Sequence, residues 1–74
     1  MKYDYSALQD EIANAAVDIG GPDVREYWAG HSRETRNEYA SELISRVEDN
    51  GEDRAAVLAD IAQRIAADAA EPVE

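Results

Sequence analysis

Three glutamates recur at four-residue intervals near the middle of the chain: Glu34, Glu38 and Glu42. On an α-helix this spacing puts the three carboxylates on one face, each about 6 Å further along the axis than the last. That interval is close to the separation of phosphates along one nucleic-acid strand. A carboxylate row at this spacing suits a basic protein groove that otherwise holds nucleic acid. We predict that these residues, together with Asp53 and Asp60, bind such a partner protein.

The net charge limits which partners are compatible with the chain. It has 17 acidic and 7 basic residues, which give a net charge of −10. Direct nucleic-acid binding is excluded, because it requires a basic face that neutralises phosphates. Binding to an anionic membrane surface is disfavoured for the same reason, and no apolar run approaches the about 20 residues of a membrane-spanning helix. The N-terminus lacks the apolar stretch of a signal peptide, so we expect a cytoplasmic protein.

Residues that could carry catalysis or hold a metal are few. The chain has no cysteine and a single histidine, His31, which excludes thiolate and multi-histidine metal sites. His31 adjoins Ser32, but sequence neighbours seldom reach the geometry of a base and its nucleophile, and Ser32 is interpreted as a helix cap. The acidic segment 49–53 lacks the alternating ligands of a calcium-binding loop. We therefore predict a non-enzymatic protein with no catalytic residue, cofactor or metal.

A row of small residues is the second feature of interest, on the last predicted helix. Ala55, Ala59, Ala62 and Ala66 lie on one side of it, and Ala70 continues the row. Small side chains let another helix approach closely, which predicts self-association as a homodimer or docking of a partner. The alternative is that alanine, with its high helix propensity, fills the edges of the core stripe.

Helices must position all of these residues. Between breaks that contain glycine and proline, apolar residues recur at intervals of three and four, and no segment alternates as a strand would. The sequence predicts an all-α fold in a single acidic domain over 1–74, a small bundle of three longer helices and a short one. The longer helices span about 7–19, 33–48 and 52–70, the short one spans about 22–29, and the C-terminus frays after about residue 70.

Capping residues predict where these helices begin and end. Ser6 opens a capping box for the first helix, and Gly20 supplies the left-handed position after its last turn. Ser32 caps the third helix, and Asn50 or Gly51 caps the fourth.

The predicted core follows the apolar stripes of the helices. Ile19 is expected on the buried face of the first helix, and Val17 on its polar side. Trp28 is expected in the core, because a helix of two turns is stable only when it docks on others. Arg36 points near the middle of the buried face of the third helix. Either its stem covers apolar surface while its charge reaches water, or the first turn of this helix projects past the core.

In size, acidity and lack of cysteine the chain resembles, without a shared motif, the small inhibitors encoded by phages and other mobile elements. Anti-CRISPR proteins and DNA mimics are examples of these. The resemblance implies an inhibitor that blocks the basic nucleic-acid-binding surface of a partner protein, which is the favoured hypothesis. The alternative is a self-associating structural or adaptor module whose acidity serves only solubility.

Overall fold

Four α-helices and no strand form residues 4–70, the part of the chain that the computed structural model describes. The structure is 84% helical, so the predicted all-α bundle of three longer helices and a short one is confirmed. The predicted fraying after residue 70 lies outside the described residues. The helices are α1 (Tyr5–Gly20), α2 (Asp23–Ala29), α3 (Arg33–Glu48) and α4 (Arg54–Ala70).

Two polar contacts show that α3 runs antiparallel to α1. The hydroxyls of Tyr5 and Ser41 are hydrogen-bonded at 3.4 Å. One turn further along α1, the Gln9 side-chain amide donates to the side-chain oxygen of Asn37. Residue numbers thus rise on α1 as they fall on α3, and the first half of α1 lies against the middle of α3.

The most extensive helix pair is α1 with α4, which run in the same direction. At the start of α4, Arg54 donates to the Glu11 carboxylate across 2.9 Å. Near its end, Ala66 lies beside Gly20 of α1. The antiparallel α3 packs against both of these parallel helices.

Every buried side chain of the described residues is apolar. α1 and α4 contribute most of them, whereas α3 buries only Ala40 and Leu43 completely. Most other residues of α3 are half-buried, and its exposed residues are Arg33, Glu34, Glu38, Ser41, Ser45 and Glu48. The buried residues are Leu8, Ile12, Ala13, Ala16, Val24, Trp28, Ala40, Leu43, Val57, Ile61, Ala62, Ile65 and Ala66.

The short helix α2 docks through Trp28 and Val24, which are 6% and 2% exposed. The prediction that Trp28 belongs to the core is therefore confirmed. Its ring lies 5.7 Å from that of Tyr39, measured between centroids, so α2 is held against the first half of α3. Burial of these two side chains supplies the stability that a helix of seven residues lacks by itself.

The N-terminal cap of α1 differs from the prediction. Asp4, not Ser6, is the capping residue, because its carboxylate accepts hydrogen bonds from the backbone N–H groups of Ser6 and Ala7. The helix therefore begins at Tyr5, two residues earlier than expected. The predicted cap of α3 is confirmed, since the Ser32 hydroxyl accepts from the Thr35 N–H at 3.1 Å.

The start of α4 also differs from the prediction, which placed a cap at Asn50 or Gly51 and the first helical residue at position 52. Asp53 takes that role: its carboxylate accepts from the Ala56 N–H at 3.1 Å, and the helix begins at Arg54. The preceding residue, Glu52, turns back to Arg46 on α3. Pairing of Glu52 with that arginine explains why the helix does not start there.

The two glycines at the end of α1 have separate roles, and the predicted role of Gly20 was wrong. Gly21 has the positive φ of 92°, with ψ 179°, a conformation that is essentially restricted to glycine. Gly20 is instead the last helical residue, at a close approach between helices. A Cβ atom on Gly20 would lie 2.5 Å from Val24 Cγ2 and 3.1 Å from Ala66 Cβ.

Two side chains near the end of α1 exchange their predicted environments. Ile19 is 51% exposed, whereas Val17 is half-buried and packs on the core. The reason is the position of α2, whose Val24 lies beside Gly20. Val17 lies three residues before Gly20 and therefore on the same face of α1, which α2 covers. Ile19 lies one residue before Gly20, about 100° around the helix, and is left exposed.

Candidate protein-binding surface

The structure separates the five predicted contact carboxylates into three environments. Glu34 and Glu38 are exposed on the first half of α3, whereas Glu42, one turn further along, is half-buried. Asp53 caps α4. Asp60 is exposed on α4 but engaged in ion pairs. They do not form one continuous row.

Arg46 is the centre of an ion-pair network that joins α3 to α4. Its guanidinium contacts Glu42 at 3.2 Å, Glu52 at 2.8 Å and Asp60 at 2.7 Å. Arg64 contacts the same Glu42 and lies 3.9 Å from Asp60. Arg46 and Arg64 thus form ion pairs with two of the predicted contact carboxylates, Glu42 and Asp60. The ion pair of Arg46 with Glu52 also connects the segment before α4 to the end of α3.

The network stabilises the charged forms of Glu52, Asp60 and Arg46. Hydrogen bonds from Arg46 lower the pKa of Glu52 and the pKa of Asp60. In return, those carboxylates raise the pKa of Arg46. Glu42 and Asp60 are both paired with arginines within the molecule. They offer less attraction to a partner than the four-residue spacing alone indicates.

Glu34 and Glu38 are different, and we call this pair the α3 acidic face. Both side chains are exposed, and within residues 4–70 neither has an ion-pair partner. The same side of α3 continues through the exposed Ser41 and Ser45. Ser45 donates a hydrogen bond to Asp49 at 3.2 Å, just beyond the helix. The first half of α3 therefore presents two exposed carboxylates that form no ion pair within residues 4–70, in a stretch that also carries Arg33 and Arg36.

The predicted alanine face does not form as one exposed surface. Ala62 is 0% exposed and Ala66 is 5% exposed, because α1 packs on this side of α4. Ala55 and Ala59 are exposed, as is Ala70 at the end of the helix. Of the two interpretations, core filling holds for the two buried alanines, whereas Ala55, Ala59 and Ala70 remain at the surface.

His31 belongs to an aromatic cluster between α2 and α3. Its Nδ1 is hydrogen-bonded to the Tyr27 carbonyl oxygen at 2.8 Å, and its ring centroid lies 4.7 Å from that of Tyr27 and 5.9 Å from that of Trp28. Ser32, its sequence neighbour, instead shares hydrogen bonds with Thr35. The two residues thus have separate partners, and each helps to shape the turn before α3.

An apolar groove at the other end of α3 is a feature that sequence reasoning missed. It encloses about 190 Å³ between the first half of α1, the second half of α3 and the start of α4. Ile44 and Val47 are only half-buried there, so the apolar face of α3 is wider than its contact with the core. The apolar residues Ile44 and Val47, which extend the apolar face of α3 beyond the core, were the feature of the sequence that could have indicated the groove. The groove is lined by Leu8, Leu43, Ile44, Val47, Glu48 and Arg54.

No protein-family model, curated protein or solved structure matches the chain significantly. Among the described helices, none has the length and apolar character needed to cross a membrane. Residues 4–70 also contain no cluster of three or more histidine or acidic side chains placed to hold a metal ion.

Proposed function

We propose that this protein is a non-enzymatic inhibitor that binds a basic, nucleic-acid-binding surface of a partner protein. The observation that carries the proposal is the α3 acidic face, where Glu34 and Glu38 are exposed and form no ion pair within residues 4–70. Arg46 and Arg64 are bound to carboxylates elsewhere, and Arg33 and Arg36 in the same half of α3 are not paired with either glutamate. The two carboxylates are thus accessible to a cation from a partner.

The overall charge supports the same proposal. A net charge of −10 on 74 residues produces a negative potential that attracts basic surfaces and raises the rate of encounter. Over distances beyond about 8 Å that attraction is largely screened at physiological ionic strength. The proposed complex should therefore form more slowly, and bind less tightly, as salt is added.

The ion-pair network has a supporting role in this proposal. Because Glu42 and Asp60 are bound to Arg46 and Arg64, they are not proposed as primary contacts. They hold α3 in place against α4 instead. A rigid α3 presents its acidic face without an ordering cost when the partner binds.

The alternative function, a self-associating or adaptor module, is less supported, because only Ala55, Ala59 and Ala70 of the predicted alanine face are exposed. Ala62 and Ala66 contribute to the core and cannot contact a second molecule while the fold is intact. Replacing Ala66 would therefore disturb the α1–α4 packing rather than report on assembly.

The experiment that tests the proposal is capture of bacterial lysate proteins on the immobilised chain, with and without excess duplex DNA. We expect a nucleic-acid-binding protein to be retained and to be released by the DNA. Glu34→Gln combined with Glu38→Gln should reduce its retention. Asp10→Asn with Asp18→Asn is the matched control, because it removes the same charge from exposed positions on α1.

The control separates a local acidic face from a general effect of charge. Equal loss of retention in both double variants would show that only net charge matters and would remove the α3 acidic face from the proposal. A captured protein that ignores both DNA and salt would contradict the proposed inhibitor altogether.

A further inference from the structure

The apolar groove beside the end of α3 has no assigned role in the proposed function. We infer that it receives one large aliphatic side chain from a basic segment of the same partner, while lysine or arginine neighbours of that side chain meet the acidic rim. This inference rests on the proposed function and adds to it the chemistry of the partner segment.

The size of the groove favours a side chain over a small-molecule ligand. Pockets for cofactors and drug-sized ligands are typically about 300–1,000 Å³. The groove, at about 190 Å³, is smaller and open to solvent, and its floor is formed by Leu8, Leu43, Ile44 and Val47. A pocket of this kind is typical of the sites that anchor a single residue of a protein partner.

The charges around the groove select a basic partner segment. Glu48 lines it, the exposed Asp49 follows directly, and the exposed Asp4 precedes Leu8 by about one turn of α1. The one basic lining residue, Arg54, is paired with Glu11 at 2.9 Å. An apolar floor inside an acidic rim is complementary to an amphipathic basic helix, which is a common mode of peptide recognition.

The groove is also continuous with the α3 acidic face. Ten residues of α3 separate Glu38 from Glu48, a distance of about 15 Å along the helix axis. The exposed Ser41 and Ser45 lie between them and present no bulky side chain. One partner segment of moderate length can therefore reach both features at once.

A second copy of the chain is a poorer occupant. Two molecules that each carry −10 repel one another, and the groove would bring two acidic rims together. Ile19, the one large hydrophobic residue that is clearly exposed within residues 4–70, directly follows Asp18, which would add to that repulsion.

The test uses two fluorescein-labelled synthetic peptides and fluorescence anisotropy at about 0.15 M salt. One peptide is an amphipathic helix of leucine and lysine, and in the other every leucine is replaced by serine. We expect the intact protein to bind the leucine peptide at least about tenfold more tightly, a factor that corresponds to about 1.4 kcal/mol and is typical of a buried anchor residue. Ile44→Gln should abolish that preference and leave binding of the serine peptide unchanged.

Leu58→Gln is the matched control, because Leu58 is half-buried like Ile44 but lies on α4, outside the groove. Equal behaviour of the two variants, or no preference of the intact protein for leucine, would overturn the inference. Sedimentation equilibrium without peptide measures whether the protein forms a dimer. A dimer that dissociates in Ile44→Gln would assign the groove to a second copy and would equally overturn it.

A measurement on the unaltered protein covers the case in which Ile44→Gln fails to fold. Methyl NMR signals of Leu8, Leu43 and Ile44 should shift on addition of the leucine peptide, whereas those of Ile19 and Leu58 should not. Shifts confined to the second pair would contradict the groove.

The outcome also distinguishes the groove from the proposed function. Glu34→Gln with Glu38→Gln should weaken binding of both peptides by a similar factor. If it does so while Ile44→Gln has no effect, the groove inference fails and the acidic face stands. If only Ile44→Gln matters, the groove stands and the acidic face fails.

Discussion

The two halves of α3 carry charged residues at the same four-residue spacing but use them differently. In the first half, Glu34 and Glu38 face solvent and form no ion pair within residues 4–70. In the second half, Glu42 and Arg46 belong to a network that reaches the segment before α4 and α4 itself. The difference comes from the neighbours: α4 passes beside the second half of α3, and its Asp60 and Arg64 complete the network. A carboxylate's availability thus depends on helix packing and not on spacing alone.

The largest expected effect comes from the apolar side of the second half. Leu43, which is 2% exposed, anchors this half in the core. Leu43→Ala should lower the free energy of unfolding by about 2–5 kcal/mol, because it removes buried methyl groups and leaves a cavity. Urea denaturation measures this loss in the free energy of unfolding. The half-buried Leu58 gives the control: Leu58→Ala should cost clearly less, and an equal cost would mean that Leu43 is no special anchor.

Loss of the central arginine should have the next largest effect. Arg46→Gln leaves Glu42, Glu52 and Asp60 without their shared cation, so the Tm should fall, and it should fall more at low salt. Arg33→Gln removes the same charge from an exposed position at the start of α3. If both variants lower the Tm equally across the salt series, the two halves of α3 do not differ as described.

The pH dependence of the Arg46→Gln effect gives a finer test. Hydrogen bonds from Arg46 lower the pKa of Glu52 and the pKa of Asp60 from their ordinary values of 4.5 and 3.8. A carboxyl group whose pKa is lowered by folding contributes stability above its unfolded pKa and loses it as pH falls through its folded pKa. The stability difference between the unaltered protein and Arg46→Gln should therefore be full above about pH 5 and shrink at lower pH.

Denaturation at a series of pH values measures this difference directly. The pair Glu11–Arg54 also depends on pH, since Arg54 lowers the pKa of Glu11, but it is present in both proteins and cancels. A difference that grows on acidification would contradict the assignment of the network as a stabilising element.

The smallest expected effect lies in the first half of α3. Glu38→Gln removes the like-charge contacts of Glu38 with Glu34 and Glu42, each of which destabilises a helix by about 0.2–0.5 kcal/mol. Stability should thus rise slightly while partner binding falls. Thermal unfolding at low and high salt would reveal the gain, which should disappear when salt screens the charges. A loss of stability would instead indicate that Glu38 has a structural role.

The helices themselves were largely predictable, because apolar spacing and the capping Ser32 are local signals. Competition between neighbouring caps was not: both Asp4 and Ser6 are good capping residues, and only the chain geometry selects Asp4. The same applies to Asp53, whose carboxylate was free to cap α4 once Glu52 had paired with Arg46.

The surface was less predictable than the helices, because it depends on how they pack. Glu42 and Asp60 are far apart in sequence, and their shared arginines follow from the register of α3 against α4. Ala62 and Ala66 looked like a surface because the position of α1 was unknown. The apolar groove combines residues from three helices, so it could not be predicted from any single segment of the sequence.

Trp28 gives the protein a built-in optical reporter. It is the only tryptophan, and it lies at the contact between α2 and α3, with Tyr39 at 5.7 Å and His31 at 5.9 Å between ring centroids. Its emission therefore reports whether α2 is docked, with no label and no substitution. Because α2 is too short to persist alone, a change of that emission with loss of only the small helical signal of seven residues would identify partial opening of the bundle at this end.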